Sequence, residues 1–95
     1  MKITSQDALG QFVTVYLDGK EEICATELDL DSGELTRYKL EADGKPIKDG
    51  PKHDPFLVKE TVYGDIKLTL RQDTPEYIVE YFNKTVPEKN KLVVE

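Results

Sequence analysis

Residues 12–17 read Phe-Val-Thr-Val-Tyr-Leu and run directly into Asp18-Gly19. β-Branched and aromatic side chains suit a pleated, half-buried strand, and Asp-Gly supplies the two positive-φ positions that a two-residue hairpin turn demands. The chain is therefore expected to reverse at Asp18-Gly19 and to return as a strand over about residues 21–28. A tight turn puts Phe12, Thr14, Tyr16, Ile23 and Ala25 on one face and Val13, Val15, Leu17, Glu22 and Cys24 on the other. Neither face is wholly polar, so either both are covered near Val13 or a bulge shifts the register.

The same logic carries through the rest of the chain. Asp29, Asp31, Ser32 and Gly33 form a second turn, because their short polar side chains bond their own backbone and glycine tolerates positive φ. Residues 35–40 alternate as a half-exposed third strand, with Arg37 and Lys39 facing the acidic second strand. Between Glu41 and Pro55 lie Asp43-Gly44, Asp49-Gly50, Pro46 and Pro51, which predict one long interrupted loop with a small accessory hairpin near residues 45–48. Loops of this length are uncommon in compact domains unless functional or mobile, which makes the segment the best loop candidate for a contact surface, the alternative being a solvated loop. Residues 56–63 and 65–71 read as two further strands joined into a second hairpin at Gly64-Asp65.

Thr74 as N-cap, Pro75 at the first helical position and Glu76 near the positive end of the dipole predict a helix over residues 75–85, stopped by Pro87. The β-propensity of residues 77–82 makes a strand the competing reading. The expected fold is mainly β: antiparallel hairpins in a small sheet or sandwich with one short C-terminal helix. Residues 1–86 form a single β-rich domain, a size consistent with the 95-residue length, and residues 87–95 a tail or arm. The tail ends in Leu92, Val93 and Val94. Burying so short an apolar triplet does not offset the entropy of ordering the segment, so backbone pairing must help. Residues 91–94 are expected to add to a sheet edge, of another subunit or partner rather than of their own chain.

Charge is concentrated. Glu21, Glu22, Glu27, Asp29, Asp31 and Glu34 fall in a window without Lys or Arg, and this window alone accounts for the net charge of -6. An acidic surface repels phosphate, so direct binding of nucleic acid is not expected. The apolar runs are about a third of the roughly 20 residues that span a bilayer, and the first residues lack the apolar stretch of a secretory signal. No membrane association is expected, and synthesis in a cytoplasm is.

No catalytic, cofactor or metal constellation emerges. Asp29, Asp31 and Gly33 have the look of a calcium loop, but the fifth and sixth positions would be Gly33 and Glu34 where an oxygen ligand and glycine are needed, and the twelfth is Leu40. His53 is the only histidine, and Cys24 the only cysteine, with no activating neighbour in sequence. Glycines are scattered singly in turns, so no phosphate loop is present. An enzyme is not expected, nor any cofactor.

Taken in order, the run Val15-Tyr16-Leu17-Asp18-Gly19-Lys20-Glu21, the Cys24-Ala25 pair before an acidic segment, Gly33, Tyr38-Lys39, the Asp43-Gly44-Lys45 and Asp49-Gly50 turns, and Tyr63-Gly64-Asp65-Ile66-Lys67-Leu68 resemble small uncharacterised proteins of tailed bacteriophages and prophages. The resemblance covers residues 12–70 and implies no catalytic residues. Residues 72–95 extend beyond the shorter pattern. Two functions follow as expectations. One is a virion-associated structural or decoration protein, a homo-oligomer or a partner of other virion subunits, located in the virion. The other is an inhibitor of a host enzyme or defence complex, acting in the host cytoplasm through an acidic surface that imitates nucleic acid. The contact residues expected are the six acids of the window together with Leu92, Val93 and Val94.

Titration calorimetry with calcium and zinc is expected to give no saturable one-to-one binding tighter than about 10 μM.

Overall fold

The computed structural model describes residues 1–92. Strand β2 (Val13–Leu17) is the spine of one sheet, flanked by β3 (Lys20–Glu22) and by β9 (Ile66–Leu70). Across the β2–β9 pair Val13 meets Leu70, Val15 meets Leu68 and Leu17 meets Ile66, so alternation in both strands places apolar side chains opposite one another on one face. The turn between β2 and β3 is the expected two-residue reversal: Asp18 and Gly19 both have positive φ (50° and 85°), and Leu17 pairs with Lys20.

The second sheet has four antiparallel strands in the order β1 (Lys2–Thr4), β4 (Ala25–Asp29), β5 (Glu34–Tyr38) and β8 (Lys59–Tyr63). Its register lines up Ile3, Leu28, Leu35 and Val62 as one apolar row across all four strands. This row and the β2–β9 ladder belong to one hydrophobic core, completed by Leu9, Leu30, the helix residues Ile78 and Phe82, and Val86 just past the helix end. Leu35 on β5 and Leu68 on β9 have no exposed surface.

Two sequence expectations change here, for one reason. The strand expected over residues 21–28 is split: β3 belongs to the first sheet and β4 to the second, with Ile23-Cys24 carrying the chain between them. Likewise residues 56–63 and 65–71 do not form a hairpin. β8 pairs with β5 and β9 with β2, so Gly64-Asp65 is a corner between sheets. A flat pair of hairpins would leave an apolar face on each in water, whereas switching sheets at these two points lets the faces bury one another. The hairpin itself carries no bulge, its register running unbroken from Val15–Glu22 to Leu17–Lys20; a bulge occurs instead in the β4–β5 ladder, between Ala25 and Glu27.

The Gly64-Asp65 corner is closed by neighbouring turns. The Asp18 N–H donates to the Asp65 carbonyl and the Asp65 N–H to the Asp18 carboxylate, both at 2.9 Å, while the Gly64 N–H donates to the Gly33 carbonyl at 3.0 Å. Three turns thus meet at one end of the molecule. The approach leaves no room for side chains: a Cβ on Gly33 would lie 2.7 Å from the Gly64 carbonyl oxygen, and one on Gly64 would lie 2.7 Å from the Asp18 carboxylate.

The helix α1 spans Glu76–Thr85, which settles residues 77–82 as helical. Its N-cap is Pro75 rather than Thr74, whose hydroxyl instead donates back to the Arg71 carbonyl. Beyond Pro87, a 3-10 turn (Glu88–Asn90) lays the chain along β9. The Asn90 side chain, buried, donates to the Ile66 carbonyl at 2.9 Å, and the Leu92 N–H donates to the Leu68 carbonyl at 2.9 Å. Residues 91 and 92 therefore lie parallel to the free side of β9 of their own chain, not on another subunit. Asn90 is the reason: its amide satisfies a β9 carbonyl one step ahead of the backbone pairing and steers the segment home. Val93 and Val94 lie outside the described residues.

The long loop is more ordered than its turn residues suggest. Near its base the Lys39 N–H donates to the Val58 carbonyl, the Val58 N–H to the Ile47 carbonyl, and the Ile47 N–H to the Lys39 carbonyl, at 2.8–2.9 Å. This closed ring wedges the segment around Ile47 between the diverging ends of β5 and β8. From it extends a two-stranded ribbon, β6 (Lys48–Asp49) with β7 (Phe56–Leu57). The ribbon interrupts the strand expected over residues 56–63 at Val58. Residues 39–57 are exposed apart from Ile47. The molecule measures 45 × 24 × 23 Å, with a radius of gyration of 14.7 Å against about 12 Å for a compact globule of this length.

Gly33 and Gly44 have similar positive φ (74° and 87°), but a Cβ on Gly44 would meet nothing. Gly44→Ala is expected to destabilise by about 1 kcal/mol through backbone strain alone, and Gly33→Ala by roughly 3 kcal/mol through strain plus the clash with Gly64. Urea unfolding of the two variants measures the difference.

Candidate functional site

The acidic window does not form one surface. Glu21 and Glu22 stand on β3 in the first sheet, Glu27 and Asp29 on β4 in the second, Asp31 in the turn after β4, and Glu34 at the start of β5. Several are already matched by positive charge. The Met1 ammonium hydrogen-bonds the Asp31 carboxylate and lies 3.7 Å from Asp29. That hydrogen bond raises the ammonium pKa above its ordinary 8.0 and lowers that of Asp31 below its ordinary 3.8. Lys2 reaches Glu27 at 4.0 Å between two exposed side chains, a pairing that contributes little. Glu21 and Glu34 form no ion pair among the described residues.

Glu22 turns inward. It shares the core-facing side of the first sheet with Val15 and Leu17, and there it meets Arg37, which projects from the same face of β5 as Leu35. The Arg37 guanidinium donates to Glu22 at 2.5 Å through Nη1 and to Glu60 on β8 at 3.1 Å through Nε. All three side chains are largely covered, with Glu22 only 14% exposed. Burial disfavours the Arg37 charge, but the hydrogen bond to Glu60 and the attraction of both carboxylates outweigh it and hold the guanidinium above its already high ordinary pKa. The contact between sheets is thus apolar at the middle and ionic at this end. Arg37 does not stand opposite an acid across the β4–β5 ladder: its neighbour on β4 is Ala25, and its carboxylate partners lie on β3 across the sheets and on β8, while Lys39 is exposed just beyond the end of β5.

Between the two sheets opens a cleft of about 410 Å³, lined from the first sheet by Thr14, Glu21, Glu22 and Arg71 and from the second by Thr26 and Glu27. Ile23, also on its wall, is 81% exposed. Three acids of the window therefore share one concavity. The cleft has a mixed lining of hydroxyls, carboxylates and aliphatic carbons. Among the described residues no group of three or more His, Cys, Asp or Glu side chains is gathered as a metal ion would require, and no helix is long and apolar enough to cross a membrane. His53 sits exposed in the ribbon loop, and Cys24 is half-buried at the corner between β3 and β4.

Other exposed features were not singled out by residue in the sequence. Phe56 is 57% exposed and Leu57 38%, side by side on the ribbon, with Leu40 at its base. The signal was present in the sequence: an apolar pair directly after Pro55, at the end of a polar, Pro- and Gly-rich loop. Tyr63, Tyr77 and Tyr81 are also exposed. Of the tail residues, Leu92 is half-buried against β9.

Replacing Arg37 with Met keeps the apolar stem and leaves Glu22 and Glu60 facing each other without a cation. Arg37→Met is expected to destabilise by roughly 2 kcal/mol at pH 7. Urea unfolding at pH 7 is the measurement; no loss in this variant, which keeps the apolar stem, would assign Arg37 a packing role only.

Comparison with protein-family models, with curated proteins and with solved structures finds no match to this chain.

Proposed function

We propose that this protein is a non-enzymatic, virion-associated structural or decoration protein of a tailed phage, acting through contacts with other virion subunits. The observation that carries this reading is the ribbon. It is anchored by a closed ring of backbone hydrogen bonds, stands out from the body, and presents Phe56 and Leu57 to solvent. Those side chains contribute nothing to the core, yet covering the ring of Phe56 by a neighbouring subunit offers about 2 kcal/mol. An anchored base limits the ordering entropy lost when the ribbon docks. The phage assignment itself rests on the resemblance of residues 12–70.

The other reading, an inhibitor that imitates nucleic acid with an acidic surface, draws less from the geometry. A phosphate mimic needs regularly placed, unpaired carboxylates on one face. Here Glu22 is bound to Arg37, Asp29 and Asp31 stand beside the chain's ammonium group, and the acids are divided between two sheets.

Peptide mass spectrometry of purified particles of the phage that encodes the chain is expected to find it in many copies per virion. A Phe56→Asp, Leu57→Asp variant, folded as judged by its melting curve, should be incorporated at least about tenfold less, the factor that 1.4 kcal/mol of contact energy provides. Absence of the unaltered protein from particles would exclude the structural role.

A further inference from the structure

Strand β8 (Lys59–Tyr63) pairs with β5 on one side, and no described residue pairs with it on the other. The remaining edges are shorter or taken: β1 and β3 have three residues each, and residues 91–92 occupy β9. The antiparallel register determines which backbone groups β8 offers. The Lys39 N–H donates to the Val58 carbonyl and the Gly64 N–H to the Gly33 carbonyl. Hydrogen-bonded pairs alternate, so Glu60 and Val62 spend their N–H and C=O groups on β5, while those of Lys59, Thr61 and Tyr63 point away from it.

We propose that this edge pairs with the same edge of a second copy, antiparallel about Thr61, fusing two four-stranded sheets into one. The residue pattern is self-complementary in that register. Thr61 stands opposite its own counterpart and Lys59 opposite Tyr63 of the other copy, so the outward groups of all three residues pair in about six backbone hydrogen bonds. On the exposed face, rows already present in one molecule continue into the next. Thr36 and Thr61, with hydroxyls 3.4 Å apart, extend into a ladder of four threonines. The row of Glu34 and Tyr63 continues into Lys59 and Tyr38 of the second copy, so the ammonium group that already lies 5.6 Å from the Tyr38 ring gains the exposed Tyr63 ring on its other side. Shifting the pairing to centre on Glu60 would set two carboxylates opposite each other and leave Tyr63 unpaired. The edge strand has no net charge, Lys59 offsetting Glu60, and the six acids that give the chain its net charge of -6 lie on other strands and turns.

Sedimentation equilibrium of the full chain is the first test, with an expected mass twice the 10.8 kDa of one chain at about 100 μM. Thr61→Pro removes an outward N–H without touching the β5 pairing and should return the mass to that of one chain with the melting curve little changed. A second readout serves if that variant fails to fold. In a Cys24→Ser background, Thr61→Cys places two thiols at a directly opposed pair about 5.5 Å apart between Cα atoms, within disulfide range. It should oxidise to a linked dimer much faster than Ser32→Cys in the exposed turn after β4. A chain that stays monomeric to about 1 mM, a dimer that survives folded Thr61→Pro, or cross-linking no faster at residue 61 than at residue 32 would each overturn the proposal. The measurements need only purified protein, so they stand apart from whether the protein is found in particles.

Discussion

The fold depends on a corner that only small backbones can make. Gly64-Asp65 turns the chain out of the four-stranded sheet and into the three-stranded one, and it does so under the carboxylate of Asp18 and against the carbonyl of Gly33. Each contact satisfies a backbone donor that the corner would otherwise leave without a partner, at distances that a Cβ on Gly33 or Gly64 would forbid. Because three turns from distant parts of the chain share these bonds, the two sheets are held in one orientation at that end, and the apolar row of Ile3, Leu28, Leu35 and Val62 shares a single core with the β2–β9 ladder.

With the middle of the molecule sealed in this way, the interlayer space near β3 is closed by charge. Glu22, Arg37 and Glu60 satisfy one another where the sheets are too open to be filled by aliphatic groups alone. Such a triad adds little net stability over a well-packed apolar substitute, but it tolerates partial exposure and penalises any register that strands a carboxylate without its cation.

The outer surface carries features that the core does not need. The Phe56–Leu57 ribbon and the β8 edge occupy adjacent stretches of chain, so a subunit contact at one lies close to the other. An edge strand is a hazard unless its pairing is governed. Lys59 and Glu60 provide that control by making most alternative registers bring unmatched side chains together, while the one centred on Thr61 does not.

Much of this was legible in the sequence, and what was not has an identifiable cause. The Asp18-Gly19 turn, the core faces of β2 and β9, the turn at Gly33 and the helix before Pro87 follow from local chemistry: side-chain period, turn residues and a proline that can begin a helix but not continue one. Local chemistry could not say which strands pair. Gly64-Asp65 serves as well for a corner as for a hairpin, and residues 21–28 are a plausible single strand until the need to bury two apolar faces against each other breaks them at Ile23-Cys24. The acidic window reads as one patch along the chain because sequence distance ignores the sheet crossing that separates Glu22 from Glu27. The tail, too, was settled by a tertiary contact: an asparagine amide that finds the carbonyl of Ile66. Composition and period determined that this chain builds antiparallel strands around a small core, and only the competition among long-range contacts decided how they are arranged and which side chains are left facing water.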